Sequence, residues 1–341
     1  MDRETLAAEE VKFVAKEYAL RRPIYLEEIR RGSRSVAKGR LRGVDGDWML
    51  KRRPVARAGR LDTVHAFQLH LQHAGVPVAR LRRNLEGQTR TDGDRGVYEL
   101  FEWVFGQRWS MRIEEAADVG AAIGSMLRAG AGFRAPGEAF DASQHRSQAL
   151  DVDPSELAAF VSSVEPETDP SMVADACHSL LARVRRAAEA AAGIDMPLLP
   201  RCFMHGDLHP GNVLFAEGRL AAILDFDTTR VDLRVREVAS ALNAFGSETR
   251  SADAPDRWAP GQDVDRMVAI VAGIRHGIGG HLTAPERLAL PLLMIEGCAR
   301  ESLERIIRTG RFDQHLASLF LVYVDRKTAW IEERAREIAS L

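Results

Sequence analysis

The chain has 341 residues, too many for one compact core, so two lobes are expected. Apolar residues make up 45% and charged residues 28%, with a formal net charge of −2, the balance of an ordinary soluble globular protein with no overall bias toward nucleic acid. The three cysteines, Cys177, Cys202 and Cys298, are scattered and odd in number, which argues against a disulfide framework or a zinc site and for a reducing compartment. Residues 1–19 are charged throughout with no apolar signal core, and no run of about 18 apolar residues is present to span a membrane, so a cytoplasmic location is expected.

Taken in chain order, residues 4–20 read as a short amphipathic helix. Residues 25–29 alternate, and 30–35 form a turn. Strand-like runs follow at 36–42 and 48–52, separated by Gly43-Val44-Asp45-Gly46, whose Asp-Gly is a hairpin signal. Residues 62–73 have helical spacing, ended by Gly75-Val76-Pro77. Two further strands are expected, near 78–85 and at 97–104. This stretch reads as a small, mostly antiparallel sheet carrying one helix.

After Gly106 the pattern turns helical. Helices are expected at 114–129, 154–163 and 171–192, with a loop at 131–153. Residues 200–233 read as an irregular insert with short apolar strands at 212–215 and 220–224. A loop at 251–261 and three more helical segments complete the chain; Val264, Met267, Val268, Val271 and Ile274, for example, lie on one helical face. A sheet lobe at 1–104 followed by a helical lobe at 105–341 is an α+β arrangement.

The chemistry is concentrated in His205-Gly206-Asp207-Leu208-His209-Pro210-Gly211-Asn212, followed by Ile223-Leu224-Asp225-Phe226-Asp227. A polar loop holds one carboxylate, an amide sits five residues on, and a second carboxylate ends a short apolar strand. Phosphoryl transfer needs such parts: a carboxylate to orient the acceptor hydroxyl and take its proton, and oxygen ligands to hold Mg²⁺ across the phosphates. Asp207 suits the first role; Asn212 and Asp225 suit the second, since magnesium favours carboxylate and amide oxygens. Lys51, ending the apolar strand Trp48-Met49-Leu50, can reach phosphates as a point charge. His205 and His209 also permit a zinc reading, but no further ligand cluster accompanies them.

These motifs resemble the catalytic loop and metal motif of the aminoglycoside phosphotransferase-like kinases, which share a two-lobed protein-kinase-like fold. The resemblance extends over most of the chain. It implies an ATP- and Mg²⁺-dependent phosphotransferase acting on a hydroxyl of a small molecule, an aminoglycoside-, homoserine- or choline-like acceptor, with neither nucleic acid nor membrane as partner. It further implies that Asp207 is the catalytic base, Asn212 and Asp225 the metal ligands, and Lys51 the phosphate-binding lysine. Phe101 to Val104, with Phe101 and Trp103, stand as the hinge beside adenine, and Gly32, Ser33 and Ser35 as the phosphate-covering loop.

Three features depart from the family pattern. The covering loop has one glycine, with serine hydroxyls and backbone N–H groups in place of a glycine run. The helix at 62–73 has no glutamate to pair with Lys51; His65, Gln68 and Gln72 are the polar candidates there. Arg236-Glu237-Val238-Ala239 stands where an Asp-Leu-Ala is common, making Glu237 the longer brace for the catalytic loop. The missing helix glutamate motivates a second reading, a nucleotide-binding pseudokinase with a regulatory or scaffolding role. Glu296 and Glu301 are further candidates for acceptor contact, beside ordinary surface roles. Residues 30–60 hold eleven Lys or Arg against two acidic residues, a charged sheet face or an electrostatic funnel for nucleotide.

Overall fold

The structure, a computed structural model, describes residues 3–30, 32–57, 59–137, 141–142, 147–248 and 253–341. Arg31 of the expected turn, and residues 138–140, 143–146 and 251–252 of the expected loops, lie outside the described residues. The chain forms two compact units that alternate in sequence. The first comprises Met1–Trp109, Gly132–Phe140 and Gly211–Thr229; the second comprises Ser110–Ala131, Asp141–Pro210 and Arg230–Leu341.

The first unit opens with α1 (Ala8–Glu17), β1 (Ile24–Glu28), β2 (Ala37–Gly43), β3 (Gly46–Arg53), α2 (Leu61–His73), β4 (Thr91–Gly93) and β5 (Gly96–Glu102). The second contributes α3 (Ile113–Gly132, its last residue assigned to the first unit), α4 (Pro154–Val164), α5 (Pro170–Ala191) and β6 (Arg201–Met204). The chain then returns to the first unit for the hairpin β7 (Val213–Ala216) and β8 (Arg219–Ile223). The second unit resumes with β9 (Arg230–Leu233), α6 (Arg234–Phe245), α7 (Val264–Ile278), α8 (Ala284–Thr309) and α9 (Ala317–Glu333).

Among the described residues of the first unit, the main sheet has five antiparallel strands in the order β1-β2-β3-β5-β4. The β2–β3 ladder closes on Gly43↔Gly46, which leaves Val44-Asp45 as a two-residue loop and sets Lys38 opposite Lys51. On the other side of β3, Lys51 is paired with Glu99. Side chains alternate along strands, so this register sorts the sheet into two faces. Ala37, Leu41, Trp48, Leu50, Tyr98 and Leu100 form one buried face with Val11 and Val14 of α1 and with Tyr18 just after it. The opposite face carries Lys38, Lys51, Arg53, Glu99 and Phe101.

Helix α1 starts later than the amphipathic pattern suggests. Residues before it are bonded instead to the turn ahead of β2: Glu4 N–H donates to the Arg34 carbonyl at 2.9 Å, and the Arg3 guanidinium to the carbonyls of Gly32 and Ser33. The segment 78–85 is not a strand. It makes only isolated bridges, Val78 to Ile223 and Leu81 to Phe101, and the edge of the sheet is taken by the short β4.

The second unit is helical around α8, which packs on α5, α6 and α9. Helices α3 and α7 approach through glycine: a Cβ on Gly120 would lie 2.2 Å from the Ile270 carbonyl oxygen, and one on Gly124 would lie 2.3 Å from that of Ile274. Any larger residue there would force the helices apart. Strands β6 and β9, absent from the expected elements, pair antiparallel and frame the loop 205–210. Helix α6 adds to the three expected helices; its buried Val235, Val238, Leu242 and Phe245 follow the helical period. Among the described residues no helix is long and apolar enough to cross a membrane.

Candidate functional site

In the first unit the strand face described above meets the end of the β7–β8 hairpin. The backbone N–H of Leu224 donates to the Asn212 carbonyl at 2.8 Å, extending the hairpin ladder by one pair. That bond ties the Asn212 turn to the residue before Asp225. Asp225 then takes a left-handed backbone, φ 63° and ψ 65°, a conformation that Asp tolerates better than most side chains. Such strain persists where surrounding contacts over-determine it, and here they are ionic. Lys51 Nζ lies 3.0 Å from Asp225 Oδ1, and Lys38 Nζ lies 3.2 Å from Asp225 Oδ2. Lys51 also stands 3.8 Å from Asp227.

These charges fix one another. Burial opposes ionisation of Asp225, but the adjacent Lys51 and Lys38 ammonium groups outweigh it and hold the carboxyl well below the usual carboxylate range. Burial also works against the Lys51 charge, and the carboxylates of Asp227 and Asp225 reverse the effect, leaving its pKa raised. Lys38 goes the other way: burial and then the neighbouring Lys51 charge lower its pKa.

A second layer lies beside them. Arg53 spans Asp227 with two guanidinium bonds, one of them at 2.6 Å, and reaches Glu99 with its Nε. Glu99 also accepts from His65 Nε2 at 2.9 Å, and His65 Nδ1 meets the Thr89 hydroxyl at 2.9 Å. Glu99 is buried, yet the His65 bond and the Arg53 and Lys51 charges overcome that burial and hold its pKa at about 2. Of the three polar candidates on α2, His65 reaches this network. Gln68 and Gln72 turn instead to the Ala79 carbonyl, at 2.8 and 3.4 Å.

The other candidates of this unit occupy distinct places. Phe101 is buried, with its ring 5.4 Å from Lys51 Nζ and edge-on to His65. The Trp103 ring carries the Arg40 guanidinium at 4.7 Å, and its backbone N–H is already bonded to the Asp47 carbonyl at 3.0 Å. Gly32 has φ 78°, and the hydroxyls of Ser33 and Ser35 bond each other at 3.0 Å.

Asp207 belongs to the second unit. The loop that carries it leaves β6 through His205, fully buried, and Gly206, whose φ of 82° favours glycine. Three contacts define the turn. Asp207 N–H donates to His205 Nδ1 at 3.2 Å, Arg230 Nη1 donates to the Gly206 carbonyl at 2.7 Å, and Gly206 N–H donates to Glu237 Oε2 at 3.0 Å. Glu237 therefore braces the loop as its position suggested. The Asp207 side chain is 58% exposed, with Oδ2 4.0 Å from His209 Nε2. Glu296 is engaged by Arg236 at 2.8 Å, and Glu301 is an exposed helix residue 3.9 Å from Arg305.

Glu237 is buried, and its Oε1 has no hydrogen-bond partner among the described residues. Burial raises its pKa from 4.5 to about 7. A carboxyl raised on folding stabilises the fold when protonated. Its contribution is complete below pH 4.5 and is lost as pH rises through about 7. Relative to Glu237→Gln, the wild type is expected to lose up to about 3 kcal/mol over that interval. Urea denaturation of both proteins at pH 5, 6, 7 and 8 measures it; parallel pH profiles would contradict the expectation.

Lys38, Arg53, Glu99 and Asp227 were not among the site residues expected from sequence. A signal for two of them was present. The two-residue hairpin loop fixes the register that puts Lys38 beside Lys51, and Glu99 is the one carboxylate within the apolar run Val97-Tyr98-Glu99-Leu100-Phe101.

Comparison with known proteins places this geometry in a class. The phosphotransferase enzyme family, APH, matches residues 27–267. The chain belongs to that family. It is similar to the homoserine kinase of Gluconacetobacter diazotrophicus, 31% identical over 198 residues, 58% of this chain and 53% of the relative. It is also similar to the homoserine kinase of Beijerinckia indica, 34% identical over 109 residues, 32% of this chain and 30% of that one. The chain thus spans about half or less of the length of these relatives. Among solved structures, an aminoglycoside phosphotransferase from Alicyclobacillus acidocaldarius superposes with a TM-score of 0.67 at 14% identity, covering 97% of this chain and 96% of that one. An amicoumacin kinase solved in complex with AMP-PNP, Ca²⁺ and Ami superposes with a TM-score of 0.63 at 12% identity, covering 97% and 92%. At these identities the likeness establishes a shared kinase-like α+β fold.

Proposed function

We propose that the chain is an ATP- and Mg²⁺-dependent phosphotransferase that phosphorylates a hydroxyl group of a small molecule. The observation that carries this reading is the Lys51–Asp225 pair at 3.0 Å, at the end of the same hairpin from which Asn212 emerges. Asn212 and Asp225 offer an amide and a carboxylate oxygen, a donor set suited to Mg²⁺ that arrives bridged by nucleotide phosphates. Among the described residues no group of three His, Cys, Asp or Glu stands ready to hold a metal, in keeping with an ion that comes with its nucleotide. When bound, the ion would supply charge neutralisation to the transferring phosphates.

In this reading the first unit, with Lys51, Asn212 and Asp225, holds the nucleotide, and Gly32, Ser33 and Ser35 cover its phosphates. The Phe101–Trp103 segment lies beside adenine. Because the Trp103 N–H is occupied by Asp47, a backbone donor to adenine has to come from another residue of the segment. Asp207 orients the acceptor hydroxyl and accepts its proton as the phosphoryl group transfers. Catalysis is then mainly positioning and electrostatics. The relatives named homoserine kinase make hydroxylated amino acids the first acceptors to try, ahead of amino alcohols and aminoglycosides.

A coupled ADP-release screen over those three classes, with Asp207→Ala as the blank, tests the reading. Acceptor-dependent ADP release by the wild type alone is expected. Tight Mg·ATP binding without release on any acceptor would favour the pseudokinase reading instead.

A further inference from the structure

The first unit holds a second lysine that shares the Asp225 carboxylate with Lys51. Lys38 and Lys51 face each other on adjacent strands, and like charges opposed across a ladder repel. Both side chains are nearly enclosed, 11% and 9% exposed. Two enclosed ammonium groups side by side require an anion between them, and in this structure Asp225 fills that place, one oxygen to each lysine.

In that arrangement the two lysines compete with any metal for the Asp225 carboxylate. A magnesium ion on Asp225 takes at least one of the oxygens that the lysines now hold. Lys51 keeps Asp227 at 3.8 Å, whereas Lys38, which also feels the Asp227 charge, makes its close ion pair with Asp225. A displaced, enclosed ammonium must find another anion. The anion that arrives with the metal is the polyphosphate. The covering turn lies directly over this group: a Cβ built on Gly32 would stand 3.2 Å from Lys38 Nζ. Lys51 Nζ instead lies over the Phe101 ring of the strand face, at 5.4 Å.

We propose that Lys38 is a second phosphate-binding lysine, which releases Asp225 to the metal and takes the outer phosphates of the nucleotide beneath the Gly32 turn, while Lys51 takes the inner ones. The assignment rests on the phosphotransferase reading given above. It adds to that reading a residue that selects for a polyphosphate over a monophosphate.

The test is calorimetric binding of Mg·AMP-PNP, Mg·ADP and AMP to the wild type, Lys38→Met, Lys38→Arg and Lys51→Met, with melting curves taken without nucleotide. Lys38→Met is expected to weaken Mg·AMP-PNP binding by about 10- to 100-fold, the range for losing a charge-assisted hydrogen bond, and to leave AMP binding unchanged. Lys38→Arg is expected to recover most of the loss. If Lys38→Met melts below the assay temperature, Lys38→Gln decides by the same AMP-PNP to AMP ratio. Wild-type Mg·AMP-PNP affinity in Lys38→Met, with Lys51→Met impaired, overturns the second lysine alone and makes Lys38 a counterion of Asp225. Absence of nucleotide binding by the wild type overturns both this assignment and the phosphotransferase reading.

Discussion

Asp207→Asn is expected to lower phosphoryl transfer by about 10²- to 10⁴-fold, the range for removing a positioned general base, while Mg·ATP affinity stays within about twofold of wild type. The separation follows from how the loop is built. Its shape is set by main-chain contacts at Gly206, to Glu237 and Arg230, and by the buried His205. The Asp207 side chain is more than half exposed, so an isosteric amide leaves those contacts in place. What the amide removes is the proton acceptor. Single-turnover transfer to the acceptor identified by ADP release, together with calorimetry on the same protein, provides the measurement. Transfer at the wild-type rate would remove Asp207 from the mechanism, and joint loss of transfer and binding would make its role structural.

Asp225→Ala is expected to act on stability and on binding together. The substitution strips the shared anion from Lys38 and Lys51 and leaves two enclosed ammonium groups facing each other. Removing one member of a buried pair costs about 3–5 kcal/mol; Asp225 keeps some contact with solvent, so about 2–4 kcal/mol is expected here. Urea denaturation measures this loss. In calorimetry, nucleotide affinity should depend much less on Mg²⁺, because the carboxylate that would share the ion with Asn212 is gone. Asp225→Asn, which keeps the shape and loses the charge, should show the same loss of metal dependence. An alanine variant as stable as wild type and equally responsive to Mg²⁺ would contradict the assignment of this aspartate.

The segment around Asp207, Asn212 and Asp225 is legible in sequence because short-range constraints write it there. A glycine is needed at the left-handed turn of residue 206, apolar residues flank the strands, and an amide and a carboxylate end the β7–β8 hairpin. Lys51 is legible for a similar reason, as a cation directly after the apolar run Trp48-Met49-Leu50. The main helices follow from their buried periodicity. The rest depends on pairing between distant segments. Arg53 and Asp227 are 174 residues apart, and Lys38 and Asp225 are 187 apart, so neither local spacing nor composition announces them. The glutamate missing from α2 illustrates the limit. The position on the helix is filled by His65, and an acidic group stands on the neighbouring strand as Glu99, opposite Lys51 in register. A search confined to the helix finds an absence. The sheet register finds a different solution, in which the helix contributes an imidazole ring and the strand contributes the carboxylate. Strands β6 and β9 escaped notice because four residues each give too little alternation to stand out from a loop.

The return of Gly211–Thr229 to the unit formed by the first 109 residues has a consequence for how this protein is made. During synthesis the basic strands β2 and β3 emerge well before Asp225 and Asp227, which neutralise Lys38, Lys51 and Arg53. Until the ribosome has passed that hairpin, the nascent sheet carries three inward cations supported chiefly by Glu99. Its completion must wait for more than a hundred further residues, so the amino-terminal sheet cannot mature as a finished domain as soon as its own strands have emerged.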